Sequence, residues 1–154
     1  MDKFQTYDKA GQIKVVEQLQ KIFSAHTLNI EQHFEDKCSI DIYVTATTKT
    51  GKERYYAIEA KDRDYTHSSY DVWFLEQHKY TTLMSEAGKY SPLYINTFKD
   101  NWMVVWDLSK IDWSNVETST RTLSKTTVID KGKQQKMVYM LPVNQAVYND
   151  RFIV

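Results

Sequence analysis

The sequence predicts an α/β (α+β) protein with a central mixed β-sheet flanked by helices. Three observations predict it. A helical apolar period opens the chain, a strict period of two follows at residues 39–48, and a second helical period returns near residue 72. The length of 154 residues suits one domain, 1–154. At 42% hydrophobic and 26% charged, the chain has enough apolar material for one sizeable core. Two Pro and four Gly exclude a low-complexity or linker-rich chain.

The first helix is expected at about Asp8 to Ala25, where Ile13, Val16, Leu19, Ile22 and Phe23 form one stripe. An extended stretch follows from Leu28 to Phe34, with a turn at Glu35-Asp36-Lys37. Ser39 to Thr48 sets Ile40, Ile42 and Val44 on one side and Asp41, Tyr43 and Thr45 on the other, a half-buried strand. Gly51, in Lys49-Thr50-Gly51-Lys52, suits a hairpin turn that needs positive φ. The return strand runs from Glu53 to Lys61.

A polar stretch, Asp62 to Asp71, leads to a second helix expected at about Val72 to Ala87 and stopped by Gly88. Leu93 to Phe98 and Asn101 to Leu108 read as a strand pair across Lys99-Asp100. Thr-rich Glu117 to Ile129 and Gln134 to Leu141 read as a last hairpin around Asp130-Lys131-Gly132-Lys133.

Several classes are excluded early. No apolar run approaches the ~18 residues of a membrane span, and the N-terminal MDKFQTYDKAGQ has no apolar secretion core. The expectation is a cytoplasmic protein with no membrane partner. One cysteine, Cys38, allows neither an intrachain disulfide nor a cysteine zinc site. His26, His33, His67 and His78 lack metal-ligand spacing, and no Gly-rich phosphate loop is present.

Formal net charge is zero, which removes the simplest argument for nucleic acid. The total hides an asymmetry. From Arg121 onward six basic residues face two acidic ones, a net +4, whereas the first 120 residues carry 14 against 18, a net −4. The basic hairpin arm at about 117–141, with Arg121, Lys125, Lys131, Lys133 and Lys136, is therefore the best candidate for DNA contact; a solvated charged hairpin is the alternative.

The chemistry lies on the first hairpin. Glu59 and Lys61, two apart on one strand, leave the same face of the sheet. Asp41, on the outgoing strand, approaches Glu59 if the register allows. Two carboxylates and an ammonium at one sheet end suit a Mg²⁺ site, with Mn²⁺ substituting: hard oxygen ligands and a cation beside an attacking water. The plain alternative is a surface hairpin with a Glu-Lys ion pair.

Asp41, seventeen residues, then Glu59-Ala60-Lys61 resembles the Asp…Glu-x-Lys signature of the PD-(D/E)XK nuclease superfamily, which includes restriction endonucleases and Holliday-junction resolvases. The likeness covers about Asp8 to Leu108, and Ile40 stands where that family has proline. It implies a restriction-endonuclease-like fold with αβββαβ core order. It also implies Mg²⁺-dependent phosphodiester hydrolysis of DNA by an endonuclease or exonuclease. Asp41 and Glu59 would hold the metal with the Ala60 carbonyl, and Lys61 would orient the attacking water.

Glu17 on the first helix, about 40° round from Ile13, matches a glutamate that completes the metal site in several branches; a solvated flank charge is the alternative. The family's stretch after the motif lysine borders substrate, which makes Arg63, His67, Ser68 and Ser69 candidate phosphate contacts. Glu76 falls within the apolar face of the second helix, with Tyr80 one turn on as its hydrogen-bond partner. The pair is similar to the Gln-x-x-x-Tyr motif of the exonuclease branch and marks a possible site edge. Gln77 and Lys79, nearer the flank, are expected to be solvated. So small a chain implies a homodimer or a partner protein. The rival functions are a nuclease-fold protein that binds DNA or protein without cutting, and a plain interaction domain with an aromatic surface.

Overall fold

The structure, a computed structural model, describes residues 3–33, 40–124 and 133–154. Helix α1 (Lys3–Ile22) leads to β1 (Thr27–Gln32), β2 (Ile42–Thr47) and β3 (Glu53–Arg63). Then come β4 (Val72–Glu76), α2 (Gln77–Met84), β5 (Ser91–Phe98), β6 (Trp102–Asp107), β7 (Glu117–Ser124), β8 (Lys133–Pro142) and β9 (Tyr148–Arg151). Six strands form a mixed sheet in the order β1-β2-β3-β5-β6-β9, in which only β3 and β5 run parallel. A second, antiparallel sheet has the order β4-β8-β7. The molecule is therefore mixed α/β. Among the described residues no helix is long and apolar enough to cross a membrane.

The large sheet separates two cores. On one face α1 lays Val15 and Leu19 over Ile42, Val44, Ile58, Leu93, Ile95, Met103 and Val105. On the other, Trp73 and Leu75 of β4, Leu83 of α2 and Leu141 of β8 cover Ala57, Tyr94, Phe98, Val104 and Trp106. This split follows the pleat: Ile42 pairs with Ile58 and Ile58 with Leu93, so their side chains leave together and their sequence neighbours leave oppositely. Central β5, covered on both faces, reads as a continuous apolar run from Leu93 to Ile95.

The first hairpin turns as its pattern predicts, but β2 starts only at Ile42. Ile42 and Val44 face α1 as expected, whereas Ile40, ahead of the strand, is buried in the opposite core, where the β4 side covers it. Gly51 takes φ +87° at the turn, where a side chain would strain the backbone. The first helix differs from expectation in start and in face. It begins at Lys3, and it buries Gln12, Val15, Gln18 and Leu19 while Ile13 is 41% exposed. Each buried glutamine has a backbone partner that offsets part of the cost of burial, although Gln12 Oε1 has none. Gln12 Nε2 donates to the His33 carbonyl at 2.7 Å, and Gln18 Oε1 accepts from the Ile153 N–H at 2.7 Å. Hydropathy alone scores such residues as outward.

The second helix is shorter than expected. Val72 to Glu76 is a strand, pairing Trp73 with Leu141 and Glu76 with Val138, and the helix proper starts at Gln77. Five apolar-rich residues satisfy either period, and the available edge of β8 decides the matter. The core order therefore carries an extra strand before α2. Strand β9, absent from the sequence reading, closes the far edge against β6. The last hairpin is paired from Glu117↔Met140 to Ser124↔Lys133, and β8 also joins β4, so its base is part of a sheet. The predicted turns at 35–37 and 130–133 fall wholly or mostly outside the described residues.

Candidate functional site

The β2–β3 register carries the site. Because Ile42 faces Ile58, Asp41 lies beside Glu59, on the sheet face opposite α1. The Ala60 N–H donates to Asp41 Oδ2 at 2.9 Å, and the Asp41 and Glu59 carboxyl groups hydrogen-bond each other. Burial, followed by the Glu59 charge, pushes the Asp41 pKa up to about 8. The pair therefore keeps one proton at neutral pH, held on the Asp41 side, because two buried carboxylates in contact do not both ionise.

A third group joins them from α2. Lys79 Nζ forms an ion pair with Glu59 Oε1. Burial works against the Lys79 ammonium, but the Glu59 and Asp41 charges together outweigh it and hold its pKa above the ordinary lysine range. Lys79 was expected on a solvated flank. Starting the helix at Val72 put it in mid-helix; it actually stands in the first turn, directed at β3. No local signal marks it, because a cation in the first turn stands out only once the helix is known to start at Gln77.

Glu59, Lys61, Phe74, Glu76, Lys79 and Tyr94 line one cleft with about 20 Å³ of free space, room for roughly one water-sized occupant. Lys61 shares the β3 face of Glu59 and is exposed. Ala60 turns its methyl to the α1 side and contributes its N–H. Among the described residues no third acidic or histidine side chain joins Asp41 and Glu59. Two carboxylates are a usual protein share for Mg²⁺, which keeps several waters. The donor set fits that ion: hard oxygens, one of them fixed by a backbone N–H, with a second negative charge available once the ion displaces the Asp41 proton.

The other candidate residues divide. Glu76 ends β4 at the cleft, and its carboxylate takes Lys136 Nζ at 2.9 Å. Burial opposes the Glu76 charge, but the Lys136 hydrogen bond and the Lys79 and Lys136 charges hold its pKa below the usual range. Tyr80 does not complete a pair with Glu76; it packs edge-on against Trp113 and Tyr139, because the two residues lie on different elements. Glu17 is exposed on α1, whose buried side covers the opposite sheet face, so the fold does not bring it to the carboxylates.

Arg63 is no surface contact. Its buried guanidinium donates to Asn96 Oδ1 at 2.8 Å, and to the Phe74 carbonyl and the Tyr94 hydroxyl at 2.9 Å each. That is a structural cation, tying β3 to β5 and β4. His67 lies flat on Trp102, with ring centroids 3.6 Å apart, and its Nδ1 is 2.6 Å from Asp100 Oδ2. Ser68 and Ser69 are exposed in the same turn, where the Ser69 and Thr66 hydroxyls bond at 2.8 Å. Arg121 is exposed on β7 opposite Lys136, and Lys125 lies outside the described residues.

The cluster offers two carboxyl groups able to hold a hard cation, two ammonium groups beside them, and a cleft open to Lys61. Comparisons of the chain with protein-family models, with curated proteins and with solved structures found no match.

Proposed function

We propose that the protein is a Mg²⁺-dependent nuclease of the PD-(D/E)XK type that hydrolyses phosphodiester bonds in DNA, with a restriction-endonuclease-like fold. The observation that carries this reading is the meeting of Asp41 and Glu59 on one sheet face, with Lys61 on the same cleft. Asp41 and Glu59 would hold the ion, and the Ala60 N–H would keep Asp41 in place. The chemistry an ion supplies at such a site is stabilisation of negative charge on the oxygens around phosphorus. Lys61 orients the attacking water and stabilises the developing negative charge. Water attacks phosphorus in line with the leaving oxygen, which departs from the opposite side. DNA is the substrate, the exposed Arg121 on β7 contributes backbone contact, and a second copy or a partner protein extends the contact surface.

A second reading has its own observation. Lys79 already balances Glu59, and such an ion pair suits a nuclease-fold protein that binds DNA or protein without cutting.

The test is cleavage of supercoiled, linear, single-stranded and branched DNA with Mg²⁺ or Mn²⁺. Asp41→Ala, Glu59→Ala and Lys61→Ala are each expected to lower cutting by ~100-fold or more, with circular dichroism unchanged. Cutting that survives all three substitutions would sink the nuclease assignment. Retained DNA binding with no cutting by the wild type under any metal would favour the second reading.

A further inference from the structure

We propose that Lys79 is an exchangeable internal cation, holding on Glu59 the position that a divalent metal ion takes over. The inference rests on the metal-site reading above but not on catalysis.

Three observations carry it. First, the ammonium is directly on Glu59 Oε1, so an ion bound by that oxygen must displace it or share it. Second, the placement is locally unfavourable. Lys79 is the third residue of α2, at the helix end whose dipole repels cations, and the N-cap, Glu76, makes no side-chain capping bond. The Glu59 ion pair, with the Glu76 carboxylate in the same cleft, compensates for that position, which is the pattern expected of a functional residue.

Third, the exchange needs no backbone movement. The Glu59 side chain is 6% exposed and the Lys79 side chain 33%, so the acceptor is fixed in the sheet while the lysine stem already reaches solvent. Four methylenes let the ammonium swing outward by rotamer change. The neighbouring Glu76 already has Lys136, which leaves solvent or a substrate phosphate as the destination. A divalent ion carries twice the charge of the ammonium and prefers two carboxylate oxygens, so it wins at sufficient concentration.

The experiment measures Mn²⁺ alone, by calorimetric titration, on the wild type, Lys79→Met, Lys79→Arg and Lys79→Met/Glu59→Gln. Lys79→Met is expected to bind Mn²⁺ about tenfold more tightly than wild type. Lys79→Arg is expected to stay near wild type, and the double variant to lose binding. Equal or weaker binding by Lys79→Met overturns the proposal, as does the absence of Mn²⁺ binding in every variant.

Acetylation of Lys79 in the wild type, followed by peptide mass spectrometry, keeps the test open should Lys79→Met not fold. Mg²⁺ is expected to speed its modification severalfold, and unchanged or slower modification counts against exchange. Tighter Mn²⁺ binding by Lys79→Met in a protein that cuts no DNA would leave this inference standing and overturn the nuclease reading. Cutting with no change in Mn²⁺ affinity would do the reverse.

Discussion

Asp41 concentrates the energetic tension of the site in one side chain. It holds its proton up to about pH 8 in the folded chain, against an ordinary value of 3.8. Between those limits the folded state binds a proton that the unfolded state has released. Its contribution is therefore fully present below about pH 4 and is lost as pH rises toward 8. Asp41→Asn keeps an acceptor for the Ala60 N–H and a donor for Glu59 while removing the ionisable group. We predict that the variant flattens the fall in stability between pH 5 and pH 8. At pH 8 it should exceed wild type by on the order of 2 kcal/mol, or roughly 4–8 °C in Tm. Thermal melts at the two pH values check this, and parallel slopes for the two proteins would refute it. Mn²⁺ binding should be lost in the same variant, because an amide replaces a carboxylate ligand.

At the scale of elements, two close approaches hold the site strands in place. The α1 backbone comes so near β3 that a Cβ on Gly11 would stand 3.1 Å from Asp62 Cβ. Asp62 has little room to yield, because its carboxylate takes the Thr97 hydroxyl at 2.7 Å and the Lys14 ammonium at 3.1 Å. Gly11→Ala gains helix propensity but forces the helix off the sheet. The expected net result is a loss of about 1 kcal/mol, read from the urea midpoint; a stabilised variant would mean that α1 floats more freely. On the other face, β4 brings the chain back over β3 and β5, with Arg63 clamping all three strands. That clamp holds β4 immediately ahead of α2, the helix whose first turn carries Lys79. The hairpin itself was legible: its alternation and Gly51 are local signals. The β4–α2 boundary was not, because Val72 to Glu76 is too short for periodicity to choose between strand and helix.

Taken whole, the molecule is two cores on one sheet, and only one of them supports the candidate site. Leu19 is buried in the α1 core and Leu83 in the core beneath β4 and α2. Truncating either to alanine is expected to cost ~2–5 kcal/mol. Only Leu83→Ala should also shift Mn²⁺ affinity, since it loosens the helix bearing Lys79. Tm and Mn²⁺ titration together test this. An equal effect of both substitutions on metal binding would mean that the site is not supported from one side.

The same division separates what the chain determines locally from what required folding. Residues 39–61 carry their own instructions. Period two, a glycine for the turn and the Asp41, Glu59 and Lys61 positions depend on neighbours a few residues away, so the sequence alone determined the hairpin and the shared face of Glu59 and Lys61. Tertiary structure decided the rest. It set the register that joins Asp41 to Glu59, turned α1 and Glu17 to the opposite face, buried Arg63, and converted Val72 to Glu76 into a strand so that Lys79 reaches Glu59. Each of these depends on which strand edge or sheet face is available, and that is a property of the packed chain with no local signature.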